Sequence, residues 1–314
     1  MNICDLITEY VAFRRTLGER CKTNEDVLRS FSRAIGPCTP MTRIRKKHLT
    51  EFLAGSDRIT NAWHVRYSAM KGFFEFAINH GDMQNNPLPT QLPKRLPTLI
   101  PYIYSRAEIR RLLNAIRLVQ LPNRMEPPTL RAILLLMYGA GLRRSEVLNL
   151  LAADADLENS LLTIRDTKFF KCRWVPIGQD LTTVLSDYAS WRSVRFPAAG
   201  VDGHFFLDCN GEPLSWWPLH HAFDRLRQHA GVQRSDGGRY QPRMHDLRHT
   251  FAVHRLTDWY RKGLDVQRLV YHLSVYLGHS QPANTQAYLT MTPELLQQAS
   301  TCFERYACGE DNHA

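Results

Sequence analysis

The segment Met244-His245-Asp246-Leu247-Arg248-His249-Thr250-Phe251 carries the densest chemistry in this chain. On a helix, residues three or four apart share a face, so His245, Arg248 and His249 project to one side while Leu247 and Phe251 turn to another. A cluster of that kind suits an anion or a metal. Leu277-Gly278-His279 adds a further imidazole, and Tyr288 follows nine residues later. Upstream, Gly141-Leu142-Arg143-Arg144-Ser145-Glu146 places arginine on a tight turn with a carboxylate able to orient it, and Lys168 lies between two runs that read as strands.

These residue types fit attack on a phosphodiester. Negative charge grows on the non-bridging oxygens as a nucleophile enters, and guanidinium groups, which bind phosphate bidentately and stay protonated, are a fixed counter-charge. Arg248 and one of Arg143 or Arg144 are the candidates. A phenol ionises near about pH 10, so a tyrosine nucleophile needs a base or adjacent arginines. A lysine on a hairpin delivers a proton to the leaving oxygen if neighbouring arginines lower its pKa, and Lys168 and Lys171 both stand at that bend. The metal alternative is a zinc hydrolase. His245-Asp246-x-x-His249 copies the spacing of H-E-x-x-H, with His254 or His279 as third ligand. Arg248 on the same face would repel a cation, and Asp replaces the usual Glu. The expectation is no metal and no other cofactor.

Arg, Lys, His, Arg, His and Tyr in that order resemble the tyrosine recombinases, the phage integrase family, over about residues 105 to 290. The resemblance selects Arg143 over Arg144, and it gives the catalytic set as Arg143, Lys168, His245, Arg248, His279 and Tyr288. Phe169-Phe170 replace glycines usual beside the hairpin lysine, which keeps Lys171 as a rival. His249 is expected to pack against neighbouring backbone and is left out of the set. The family's reaction is strand cleavage that leaves a 3′-phosphotyrosine and a free 5′-hydroxyl, then strand exchange through a four-way junction in a tetramer. Bond energy stays in the phosphotyrosine, so neither ATP nor metal is required. Within the family the expectation leans to integration, excision or transposition of a mobile element. The alternatives are a housekeeping chromosome-dimer resolvase, a type IB topoisomerase and a DNA-binding protein that keeps the fold but is catalytically silent.

The elements that must position these residues are mostly helical. Residues 2–80 read as a helical bundle, and in Asn61–Asn79 the residues Trp63, Tyr67, Met70, Phe74 and Ile78 draw one apolar stripe. Pro87, Pro89, Pro93, Pro97 and Pro101 read as an extended, semi-rigid linker. Ser105-Arg106-Ala107-Glu108 is a capping-box signal, Thr129–Tyr138 a buried helix stopped by Gly139 and Gly141, and a short helix starts at Ser145. Leu161–Arg165 and Cys172–Ile177 read as a hairpin and His204–Leu207 as another strand. Helices follow at about 218–230, 245–261, 266–276, 283–289 and 293–306, with Tyr271 and Tyr276 on the apolar side of theirs. The fold class is therefore mainly α (α+β). Its parts are a helical N-terminal DNA-clamping domain (1–86), a proline-rich linker (87–103) and a mostly helical catalytic domain with a small antiparallel sheet (104–314).

Charge supports a polyanionic partner. The net charge is +10, and residues 1–97 hold 15 Lys and Arg against 9 Asp and Glu. Arg43, Arg45, Lys46, Lys47, Arg66, Lys71, Lys94 and Arg95 are the candidate phosphate contacts, since the family's N-terminal domain clamps duplex DNA through its backbone. The partners implied are double-stranded DNA with paired half-sites and a homo-tetramer on it, or a hetero-oligomer with related recombinases. Seven scattered cysteines, no signal peptide and no apolar run of bilayer length lead to a cytoplasmic, nucleoid-associated expectation with no membrane partner.

Overall fold

The computed structural model describes residues 1–19, 21–55, 60–94, 100–122, 124–165, 172–238, 240–279, 281, 283–291 and 295–301. Two compact units divide between residues 99 and 100.

The first unit contains α1 (Ile3–Thr16), α2 (Lys22–Ile35), α3 (Lys46–Ala54) and α4 (Asn61–Asn79). Asn2 caps α1 by accepting from the Asp5 N–H at 2.9 Å. Ile3, Leu6, Ile7, Tyr10 and Val11 then recur at helical spacing and bury against Leu28 and Phe31 of α2 and Met70, Phe73, Phe74 and Ala77 of α4. The stripe expected on α4 is thus turned: Met70 and Phe74 anchor it with Phe73 and Ala77, while Trp63, Tyr67 and Ile78 are half-buried. The start of the proline-rich segment belongs to this unit as well. Leu88 is in its core, and Tyr67 donates to the Pro89 carbonyl at 3.2 Å.

The second unit comprises α5 (Arg106–Ala115), α6 (Pro127–Ala140), α7 (Arg144–Leu148), β1 (Ala155–Asp156), β2 (Leu161–Ile164), β3 (Arg173–Pro176), α8 (Gln179–Arg195), α9 (Trp216–His229), α10 (Asp246–Arg261), α11 (Val266–Leu277) and α12 (Ala283–Gln286), then a 3-10 turn, Ala287–Thr290. Mostly helical with a small antiparallel sheet, it matches the expected class. Tyr104, the first residue of the expected catalytic domain, is fully buried here: its N–H donates to Thr250 Oγ1 and its hydroxyl to the Arg243 carbonyl, each at 3.0 Å. Ser105 and Glu108 form the expected capping box.

Strand order is β1-β2-β3, all antiparallel, with Leu162 opposite Val175 and Ile164 opposite Arg173. β1 was not anticipated, because two residues leave no period to detect. The expected strand at 204–207 is replaced by isolated bridges, Leu151 to His204 and Leu207 to Pro213. Phe205, Phe206 and Leu207 are all buried, and their backbone bonds are made singly, the Phe205 N–H to the Leu150 carbonyl and the Leu214 N–H to the Phe206 carbonyl, rather than in a ladder. Gly139 lies inside α6; Gly141, at φ +62°, is what ends it. Of the helix expected over 293–306, residues 295–301 are helical and the rest lies outside the described residues. Leu295 is buried in the cluster formed by α10 and α11.

Candidate active site

The site is built on the C-terminal ends of two helices. A helix end leaves backbone carbonyls without intrahelical donors and carries the negative end of the macrodipole. Here arginines supply the donors. Arg248, on α10, donates to the Gly141 carbonyl at the end of α6 (2.5 Å) and to the Leu277 carbonyl at the end of α11 (2.7 Å). Arg143 Nη2 donates to the Gly278 carbonyl at 2.6 Å, and Arg173 Nε to the Tyr276 carbonyl at 3.0 Å. Three guanidinium groups from three elements therefore converge on the turn that also carries His279. Both glycines are required. Gly141 and Gly278 have φ of +62° and +67°, and a Cβ on Gly141 would lie 2.5 Å from Phe251.

Glu146 ties two of these arginines together. Its Oε1 accepts from Arg143 Nη1 and Arg173 Nη1, both at 2.8 Å; its Oε2 accepts from the Arg143 N–H at 2.8 Å and Arg173 Nη2 at 2.9 Å. Burial pushes the carboxyl up, but the Arg173 hydrogen bonds and the charges of Arg173 and Arg143 outweigh it and bring the pKa to about 2. One carboxylate among three guanidinium groups leaves the pocket positive. A folded-state pKa below the unfolded value contributes stability that is present above about 4.5 and is lost as pH falls through about 2. Glu146→Gln is therefore expected to be less stable than the parent by about 3 kcal/mol at pH 7. The gap should close as acid protonates Glu146. Urea midpoints of both proteins between pH 7 and the acid limit measure this, and a gap independent of pH rules it out.

Arg173 was missed by sequence reasoning, although a signal existed. On β3 it shares the core face with buried Val175, while Trp174 on the opposite face is 73% exposed. An arginine on the inward face of a strand needs a buried carboxylate, and Glu146 is that partner.

The other expected residues gather around Arg248, which is only 2% exposed. Burial first, then repulsion from Arg143, lowers its pKa to about 10, so it stays charged at neutral pH. His279 Nδ1 pairs with Thr285 Oγ1 at 2.7 Å, and its ring stacks on that of Tyr288 with centroids 6.1 Å apart. His245 meets His249 edge to face at 5.0 Å. Burial holds all three imidazoles low. His249 and His279 fall to about 4, with His245 as the next cause for His249 and Arg248 for His279; Arg248 is also the next cause for His245. Tyr288 is buried, which raises its phenol, while Arg248 and Arg143 act the other way. Its hydroxyl lies 3.0 Å from His249 Nδ1. His249 is thus not simply packed against backbone as expected.

Lys168, Phe169, Phe170 and Lys171 lie outside the described residues. Tyr276 packs as expected, stacked on Phe251 with its hydroxyl donating to the Pro176 carbonyl. Tyr271 does not: it is 62% exposed, because α11 buries Val266, Val270, Leu273 and Leu277 on the other side. The zinc reading finds no support in the arrangement. Asp246 is engaged by Arg243 at 2.8 Å, His249 Nδ1 faces a phenol, and among the described residues no three metal-ligating side chains stand together.

In the first unit Arg43, Arg45, Lys46, Lys47, Lys71 and Lys94 are exposed. The Arg45 guanidinium bonds to the Thr42 carbonyl, and Lys47 and Lys71 each stand 3.8 Å from a glutamate one turn on, Glu51 and Glu75. Arg66 is held inside the unit, donating to the Phe52 carbonyl at 3.2 Å and lying over the Phe52 ring. Arg95 lies outside the described residues. No helix among the described residues is long and apolar enough to cross a membrane.

Comparison with known proteins agrees with this geometry. The chain is 33% identical to the Sinorhizobium fredii protein y4rB, named among integrases and recombinases, over 95% of this chain and 96% of that one. It is 31% identical to tyrosine recombinase XerD of Xanthomonas axonopodis pv. citri over 74% and 72% of the respective chains. Among solved structures, the Tn1549 transposon integrase in complex with transposon right end DNA superposes with a TM-score of 0.68 at 19% identity, covering 98% of this chain and all of that one. A lambda integrase dimer bound to a core site gives 0.61 at 18% identity, covering 90% and 96%. The profile of the phage integrase family matches residues 105–294, which contain every residue of the guanidinium cradle together with Tyr288, and the chain belongs to that family, the tyrosine recombinases.

Proposed function

We propose that this chain cuts and rejoins duplex DNA at specific sites through a 3′-phosphotyrosine on Tyr288. Arg143 and Arg248 hold the scissile phosphate, His245 and His279 flank it, and Lys168 protonates the leaving 5′-oxygen. The observation that carries the reading is that Tyr288 Oη lies beside the buried guanidinium of Arg248, in the same positive pocket as Arg143. A phosphate oxygen bound there is neutralised by fixed charges that need no reorganisation during attack. The exposed cations Arg43, Arg45, Lys46, Lys47, Lys71 and Lys94 of the first unit contact the DNA backbone, with Arg66 and Arg95 in the same role.

The cellular role is integration, excision or transposition of a mobile element. Near full-length similarity to y4rB supports it, against about three quarters of the chain for XerD. The lambda integrase solved as a tetramer on a Holliday junction supports a homo-tetramer on paired half-sites; a hetero-oligomer with a related recombinase is the alternative assembly, and the proposed place of action is the cytoplasm, at the nucleoid.

The test starts from footprinting on DNA flanking the gene, which should reveal two protected half-sites around a short spacer. A duplex of that sequence nicked next to the cleavage position traps the covalent intermediate. The expected product is a protein–DNA adduct whose linked peptide contains Tyr288, with a free 5′-hydroxyl on the released strand. An adduct mapped to another tyrosine overturns the assignment.

A further inference from the structure

In the cleavage reaction proposed above, the Tyr288 phenol must lose its proton as it attacks. Among the described residues one basic atom is in position to receive it. His249 Nδ1 lies 3.0 Å from Tyr288 Oη. His279 instead gives its Nδ1 to Thr285 and lays its ring over that of Tyr288. His245 meets His249 edge-on, and the Asp246 carboxylate is taken by Arg243. The titratable and charged groups facing His249 are His245, Asp246, Arg248 and Arg243 from its own helix and the turn before it, and Tyr288 from the segment after α11. Three of these carry or can carry positive charge, and with burial they keep the imidazole neutral; with its one proton on Nε2, the Nδ1 lone pair faces the phenol, which is then the donor.

We propose that His249 Nδ1 accepts the Tyr288 proton as the Oη–phosphorus bond forms, which makes His249 a catalytic residue of the cleavage step. In the DNA-free chain the arrangement is a hydrogen bond between two neutral groups. The phenol becomes acidic only as its lone pair enters the bond to phosphorus, so transfer and attack are coupled. The Oη–H bond breaks, its electrons remain on Oη, and the Oη–P bond forms. The P–O5′ bond breaks with its electron pair on O5′, which takes a proton from the general acid. On rejoining, a 5′-hydroxyl attacks phosphorus as its O–H bond breaks and its proton passes to the conjugate base of the general acid, Oη departs with the electron pair, and His249 Nδ1 returns the proton to Oη. The same side chain aims the nucleophile beforehand, because a hydrogen bond to Oη restricts the rotation of the phenol hydroxyl.

This inference rests on Tyr288 being the nucleophile, and the experiment separates the two. Single-turnover adduct formation on the nicked duplex is followed from pH 6 to pH 9.5 for the parent and for His249→Asn. Asparagine keeps an oxygen acceptor near the Nδ1 position but cannot take up a proton. The parent rate should be flat at and above neutral pH. The variant should be slower by about a hundredfold or more at pH 7 and should gain a tenfold rate per pH unit, since hydroxide must then remove the proton. A variant rate within about threefold of the parent, or slowed equally at every pH, overturns the inference while leaving Tyr288 as nucleophile. A parent that forms no adduct at Tyr288 overturns the underlying reading itself. Should the asparagine variant fail to fold, nitrogen NMR of histidine-labelled parent and Tyr288→Phe answers the same question. One unprotonated imidazole nitrogen should move downfield when the phenol hydroxyl is removed, and unchanged imidazole resonances refute the contact.

Discussion

Tyr288→Phe is expected to reduce covalent adduct by at least about 10⁴-fold while leaving DNA affinity within about twofold of the parent. The phenol oxygen is the atom that bonds to phosphorus, and phenylalanine has no atom in its place to form that bond. The ring itself stays in place. Tyr288 packs into the core made by Phe251, Ala252, Leu256, Leu273 and Leu277, and phenylalanine fills that volume. Losing the hydrogen bonds to His249 and Arg248 costs about 1 kcal/mol each, too little to unfold a unit of this size. Filter binding and denaturing gels on the same nicked duplex separate the two quantities. Equal adduct from variant and parent sinks the assignment.

Arg248→Met should lower the cleavage rate by about a thousandfold, through loss of a preorganised positive charge on the phosphate. Its effect on stability should be smaller than the depth of burial suggests. Methionine leaves the carbonyls of Gly141 and Leu277 without their donor, at about 1–3 kcal/mol each. Opposing that, it removes a charge whose burial is costly enough to drag its pKa to about 10, and it ends the repulsion from Arg143. The net loss should therefore not exceed about 3 kcal/mol, and a folded, DNA-binding protein should remain. Urea unfolding beside single-turnover cleavage tests whether rate and stability separate this way. Cleavage within tenfold of the parent would show that Arg248 is there for the helix ends alone.

Local periodicity determined much of the scaffold. The stripe Ile3, Leu6, Ile7, Tyr10, the Ser105–Glu108 capping box and the helix after His245 each depend on neighbours within one or two turns, so the sequence displays them directly. The grouping of Arg143, His245, Arg248, His279 and Tyr288 was legible through the family resemblance. Tertiary structure decided how that grouping is held. Arg248 binds carbonyls of residues 141 and 277, Arg143 that of residue 278 and Arg173 that of residue 276. A backbone carbonyl is the same acceptor in every residue type, so no side-chain pattern marks which helix ends will meet which guanidinium. The 3.0 Å approach of His249 to Tyr288 has the same origin: it depends on how α10 lies against the turn after α11, and only the packed core of the two helices sets that distance.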